Sequence, residues 1–235
     1  AAFESARAAG RAALMPYITL GFPTPAASVD VAEALAQSGA DLIELGVPFS
    51  DPLADGPTIQ RSTQVALEQG MRVSSCFDLV RQIRARGVAA PLLLMGYVNP
   101  ILAYGVERYV QALVDCGADG LIVPDLPVEE AAAMEAACRE RGCALVYLAA
   151  PTSTPERLEA LAAHTSGFLY LVSVTGVTGA REGLAQRDAD ILHRVMGVDM
   201  QVTTRLDFEV DQPMSRQLVE HVIEEGHTRS QPGRA

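Results

Sequence analysis

The chain has 235 residues, 49% of them hydrophobic and 20% charged, with a formal net charge of -11. So much apolar sequence at modest charge excludes a disordered chain, and the length suits one large domain. No Lys/Arg-rich run breaks the acidic balance, which argues against nucleic acid as a partner. Cys76, Cys116, Cys138 and Cys143 share no Cys-x-x-Cys spacing. The four histidines, His164, His193, His221 and His227, make no ligand pattern with them, so no metal site is expected. The cysteines read as small core residues in a reducing compartment. No run reaches the ~18–20 apolar residues of a membrane span. The Ala-rich start carries Glu4 and leads directly into a strand pattern, so it reads as a helix and not as an export signal. A cytoplasmic protein is expected.

In chain order, short apolar runs alternate with longer helical patterns. The strand candidates are LMPYITLG (14–21), ADLIELG (40–46), PLLLMGY (91–97), ADGLIVPD (118–125), ALVYLAA (144–150) and GFLYLVS (167–173). They are nearly continuous hydrophobics, the pattern of parallel strands covered on both faces. Between them, 26–39, 105–117 and 128–142 have helical periodicity and end at Gly39, Gly117 and Gly142. The stretch 154–167 opens with Thr154 as an N-cap and Pro155 in the first turn. A unit recurs as QSGADLIELG and DCGADGLIVPD: helix end, Gly-Ala-Asp, strand. That repeat argues for a TIM (β/α)8-type barrel. Six units to Leu184, at roughly 31 residues each, match the spacing of a ~250-residue barrel of eight. An open doubly wound sheet is the rival, but the first βα turn has no Gly-x-Gly-x-x-Gly fingerprint.

The remainder is different. Residues 187–196 read as a helix, 200–210 as a polar alternating strand, and 215–226 as an amphipathic helix with a Gly stop. No eighth apolar strand is visible. The expected organisation is one barrel domain over 1–226, incomplete or irregular after strand six and atypical over 185–226. A disordered tail is expected over 227–235.

Active sites of βα barrels lie at the C-terminal ends of the strands. That rule picks out Thr19, Glu44, Tyr97, Asn99, Asp125, Tyr170 and Ser173. Glu44 alternates with Ile43 and Leu45. A carboxylate aimed into a lumen must be paired or protonated, so it is either a salt-bridged, capping glutamate or an acid/base. Asp55-Gly56 is either an ordinary turn or a functional acid in a loop stiffened by Pro52 and Pro57. Asp51 reads as a loop-organising acceptor. Tyr17 and Leu94 lie along strands and have plain core as their alternative. TGVTGA (175–180) is either a phosphate cradle of backbone N–H groups or a mobile lid.

Five segments in this order then carry a specific match: PYITLGFP (16–23), IELGVPFSDPLADGPTIQ (43–60), LLMGYVNPI (93–101), GLIVPDLPVEE (120–130) and YLVSVTGVTGAR (170–181). Over about residues 3–184 the chain resembles the tryptophan synthase alpha chain family. The resemblance implies an eight-stranded βα barrel that cleaves indole-3-glycerol phosphate to indole and glyceraldehyde 3-phosphate by a retro-aldol route, without a cofactor. It implies an alpha2-beta2 complex with a beta chain, which holds the pyridoxal phosphate and receives the indole. Glu44 then matches the general acid/base and Asp55 the carboxylate that engages the indole N–H. Tyr17, Thr19, Leu94 and Tyr170 match pocket positions, Thr178 and Gly179 the mobile loop near the phosphate, and Asp51 and Pro52 the beta-chain interface. The family also has a Gly-Phe-Gly strand seven and a Gly-Ser strand-eight end, whose backbone holds the phosphate. Residues 200–210 show no glycine in their place. The alternatives to a working lyase are a truncated, non-catalytic alpha-like subunit that still docks to a beta chain, and a stand-alone indole-releasing lyase.

Overall fold

The computed structural model of the chain describes residues 2–150, 152–172 and 202–203. Helix α1 (Ala2–Ala8) leads to strand β1 (Tyr17–Thr19), and α2 (Pro25–Gln37) to β2 (Ile43–Gly46). Helices α3 (Pro57–Glu68) and α4 (Val73–Ala85) precede β3 (Leu92–Met95), and α5 (Val98–Tyr104) and α6 (Val106–Cys116) precede β4 (Gly120–Ile122). A 3₁₀ turn at Val128–Glu130 and helix α7 (Ala132–Arg141) follow, then β5 (Ala144–Val146) and β6 (Leu148–Ala149). The order ends with α8 (Pro155–His164), β7 (Leu169–Leu171) and β8 (Val202–Thr203). The sequence signals act locally as expected. Thr154 caps α8 by accepting the Arg157 N–H, and Gly117 and Gly142 close α6 and α7 in the left-handed conformation. The single helix expected over 128–142 is two pieces, because the chain makes a 3₁₀ turn after Pro127 before α7 begins.

Among the described residues every strand pair is parallel. One ladder runs β1-β2-β3-β4-β5 and the other β6-β7-β8. The two ladders share one stretch of chain. The strand expected over 144–150 is kinked at Tyr147, whose N–H leaves the ladder and donates to Thr165 Oγ1 at 3.1 Å. β5 therefore pairs with β4 on one side of the kink, and β6 pairs with β7 on the other. β8 falls inside the segment read as a polar strand, and Val202 stands in register with Leu169. The remainder of that segment, the helices expected over 187–196 and 215–226 and the tail over 227–235 lie outside the described residues.

The Gly-Ala-Asp repeat has a structural reason. Asp41, before β2, accepts the N–H of Leu14 at 2.8 Å and is gripped by Arg11 through both carboxylate oxygens, at 2.6 and 2.8 Å. Asp119, before β4, accepts the N–H of Leu92 at 2.8 Å and the Arg84 guanidinium at 2.5 Å. Arg84 also donates to the carbonyls of Gly117, Val88 and Ala90. Each aspartate thus caps the start of the preceding neighbour strand, satisfying a backbone N–H that the ladder does not reach. These contacts form the base of the barrel, at the N-terminal strand ends.

Alternation along the strands builds two apolar layers. Ile43, Leu45, Leu92, Leu94, Leu121 and Leu145 face outward and pack with Val29, Phe77, Val80, Ile83 and Leu113 of the helices. Leu42, Leu93, Met95, Ile122, Val146, Phe168 and Tyr170 form the inner cluster, with Tyr17, Leu148 and Val172 packed against it. Helix α1 covers the base of that lumen, where Phe3 meets Phe168 at 5.1 Å between ring centroids. Truncating one fully buried residue of the outer layer, such as Leu45 or Leu121, to alanine removes about 2–5 kcal/mol.

Candidate active site

The register brings the strand-end residues together. Tyr17 stands opposite Glu44, and Glu44 opposite Leu93. Register partners share a face, so Glu44 belongs to the inner face with Tyr17 and Leu93, and only 1% of it is exposed. One layer nearer the mouth, Thr19 stands opposite Gly46 and Gly46 opposite Met95. Gly46 is required there: a Cβ would lie 2.0 Å from the Tyr17 hydroxyl. The missing side chain lets the Tyr17 ring lean across β2, and its hydroxyl reaches 3.4 Å from Thr19 Oγ1. Thr19 Oγ1 lies 2.7 Å from Ser62 Oγ on α3, and Ser62 donates to the Ile59 carbonyl. Glu44 and a row of hydroxyls therefore line the mouth side of the lumen.

Asp55 arrives from the loop after β2. It directly precedes Gly56, the N-cap of α3, with Pro57 at the first helical position. A helix N-terminus favours a carboxylate. The residue is buried, 7% exposed, and held through both its backbone and its carboxylate. Its N–H donates to the Pro52 carbonyl at 3.1 Å, and its carbonyl accepts from Gln60 Nε2 at 2.8 Å. Its Oδ2 accepts the Tyr97 hydroxyl at 3.0 Å. This is more than the ordinary turn that Asp-Gly alone allows. Tyr97 also accepts the N–H of Ala54 at 3.0 Å, and its ring meets Phe49 at 5.4 Å. Burial first, and then the Asp55 charge, push the Tyr97 phenol well above its usual range, so it stays protonated and donates.

The other expected residues divide. Tyr170 is buried in the inner cluster, on the same side as Tyr17 and Glu44. Leu94 is not there. It is register partner to Leu45, packs in the outer layer against the helices and is fully buried. The expectation that Leu94 lines the pocket is corrected: period-two alternation turns it away, and its neighbours Leu93 and Met95 face the lumen. Asp51 is exposed and accepts from Ser50 Oγ at 2.6 Å, and Pro52 beside it is half-buried. Leu53 follows, 93% exposed at the tip of the same loop. Asp125 is exposed after β4 and accepts the N–H of Val98, the first residue of α5. Ser173, Thr178, Gly179 and the rest of TGVTGA lie outside the described residues. Two participants went unassigned in the sequence. Ser62 carries no signal beyond its helical position, and Tyr97 offered only its place at a strand end.

Parallel strands wrapped by helices, with polar side chains gathered beyond their C-terminal ends, define the class: a barrel of the (β/α)8 type with an enzyme-like mouth. Among the described residues no helix is long and apolar enough to cross a membrane.

Comparison with known proteins narrows the class to one family. The family model for the tryptophan synthase alpha chain matches residues 3–223, beyond residue 184, where the resemblance read in the sequence ends. The tryptophan synthase alpha chain of Chloroflexus aggregans is 53% identical over 193 residues, covering 82% of this chain and 72% of its own. That of Synechococcus elongatus is 46% identical over the same shares. Among solved structures, tryptophan synthase from Mycobacterium tuberculosis superposes with TM-score 0.81 at 44% identity, covering 86% of this chain and 77% of that one. Tryptophan synthase subunit alpha from Legionella pneumophila gives 0.79 at 36%, covering 88% and 77%. The chain belongs to the tryptophan synthase alpha chain family, which carries a lyase role in tryptophan biosynthesis.

Proposed function

We propose that this chain cleaves indole-3-glycerol phosphate to indole and glyceraldehyde 3-phosphate. The observation that carries the reading is the pair of buried carboxylates, Glu44 on the inner face of β2 and Asp55 on the loop that follows it. Breaking the bond between indole C3 and the glycerol carbinol carbon needs a proton on C3 and the loss of the carbinol O–H proton. In the proposed step Glu44 delivers a proton to C3. Asp55 stabilises the positive charge that develops at the ring nitrogen. Glu44, now a carboxylate, accepts the hydroxyl proton as the carbon–carbon bond breaks and its electrons return to the ring. The net change moves one proton from hydroxyl to carbon, so the two carboxylates suffice and no cofactor enters. A buried acid in an apolar lumen and a second acid hydrogen-bonded at a helix N-terminus have different environments, which suits them to different roles. Leu93, Met95, Ile122 and Tyr170 supply a flat, dry surface for indole. The loop of Thr178 and Gly179 is the proposed phosphate contact. Asp51, Pro52 and the exposed Leu53 are the proposed contact with a pyridoxal-phosphate beta chain. Similarity to tryptophan synthase structures supports that partner.

The test is indole release from indole-3-glycerol phosphate by the purified chain, alone and with a tryptophan synthase beta chain. Turnover that the beta chain raises supports the proposal. A folded chain that releases no indole in either condition refutes it, and leaves the non-catalytic subunit as the reading. Turnover that the beta chain does not change favours the stand-alone lyase.

A further inference from the structure

We infer that Tyr97 is the positioning residue for Asp55: its hydroxyl, buried between the Ala54 N–H and Asp55 Oδ2, fixes the orientation of that carboxylate. The inference rests on the reading of Asp55 as the acid that serves the ring nitrogen.

Three observations support it. The phenol is pinned on both sides, since it accepts from Ala54 at 3.0 Å and donates to Asp55 at 3.0 Å. The ring cannot swing easily, because it is 6% exposed and packed on Phe49. Its backbone is held as well. Tyr97 is the N-cap of α5, and the next residue, Val98, gives its N–H to Asp125 of the loop after β4 at 2.9 Å. The contacts therefore run in sequence from the β4 loop, through the start of α5 and the phenol, to the β2 loop that carries Asp55. Tyr97 faces two carboxylates, Asp55 and Asp125, and hydrogen-bonds one of them through its side chain. The phenol is a neutral donor aimed at one oxygen of the Asp55 carboxylate.

The experiment compares the full-length chain with Tyr97→Phe and Asp55→Asn by two readouts. One is a ¹³C NMR titration of the aspartate carboxyl carbons, in which Asp55→Asn identifies the Asp55 signal. The other is the pH profile of indole release with a beta chain present. Loss of the phenol donor should raise the Asp55 titration point by about one pH unit, tenfold in its acid dissociation constant. The acid limb of kcat/KM should move up with it. The value of kcat should fall about 10- to 100-fold while KM changes less than about threefold, because orientation counts most in the transition state. Asp125→Ala keeps the phenol but loosens α5, so it should move the Asp55 signal the same way by less. It carries the test if Tyr97→Phe does not fold. An Asp55 signal that titrates identically in the native chain and the tyrosine or Asp125 variant overturns the inference, as does lost activity explained entirely by unfolded protein. Full turnover by Asp55→Asn removes Asp55 from the chemistry, and Tyr97 with it.

Discussion

The two ends of this barrel treat their acids differently. At the base, Asp41 and Asp119 are each gripped by an arginine and each accept a backbone N–H, of Leu14 ahead of β1 and of Leu92 at the start of β3. At the mouth, Asp55 is held by a phenol and by backbone contacts, and Glu44 is buried among apolar residues and hydroxyl-bearing neighbours. An arginine fixes a carboxylate in its charged form and makes it a structural anchor. Arg11 holds the Asp41 carboxyl below the usual aspartate range. At the mouth the contacts include hydroxyl groups, which orient an acid by hydrogen bonding. In the proposed reading the same residue type carries stability at one end and chemistry at the other.

Substitutions can break that contrast at either end. The largest effect is expected for Glu44→Gln, which keeps the shape and removes the proton exchange. Indole release should fall about 10²- to 10⁴-fold with an unchanged circular dichroism spectrum, and retained turnover would take Glu44 out of the mechanism. Next is Gly46→Ala. Its methyl would collide with the Tyr17 hydroxyl, so the ring must move. The expected result is a loss of about 1–3 kcal/mol in denaturant unfolding, with reduced turnover even in the folded fraction. A variant as stable and active as the parent would mean that Tyr17 can leave its place without consequence. Asp119→Ala tests the base. It strands the Leu92 N–H and releases Arg84, and should lower stability by about 1–3 kcal/mol while kcat per folded molecule holds.

The smallest effect is expected for Arg11→Ala, and it carries a sign. Because the folded-state pKa of Asp41 is depressed by Arg11, the pair adds stability above the ordinary aspartate range. That stability is lost as pH falls through the folded pKa. The variant should be less stable than the parent by about 1 kcal/mol or less at neutral pH. The difference should begin to shrink below about pH 4 and vanish only once the pH is below the lowered folded pKa. A gap that persists unchanged in acid would place the role of Arg11 in packing instead.

Much of this was legible in the sequence, for identifiable reasons. Glu44 interrupts an apolar run, so its isolation marked it. The Gly-Ala-Asp repeat announced a barrel, although its role as a strand cap emerges only when the preceding strand lies beside it. The face of β3 was illegible. Its strand reads LLLM, apolar on both sides because helices cover one face and the lumen the other. Alternation leaves no mark in such a run, and Leu94 was assigned to the wrong side. The kink at Tyr147 was hidden for a related reason: the apolar pattern continues through it, while its cause is a threonine 18 positions away. The bond from Tyr97 to Asp55 spans 42 positions and belongs to no local motif. The environment of Asp55 follows from that contact, so its burial could not be read from an Asp-Gly pair between prolines.

The division of labour between the two ends is tested most directly by one paired measurement. Asp55→Asn and Asp119→Asn are compared for indole release per folded molecule and for the midpoint of chemical unfolding. Asp55→Asn should lose turnover with its midpoint unchanged, and Asp119→Asn should lose its midpoint with turnover unchanged. The reverse pattern, or two variants that lose both properties together, would contradict the account.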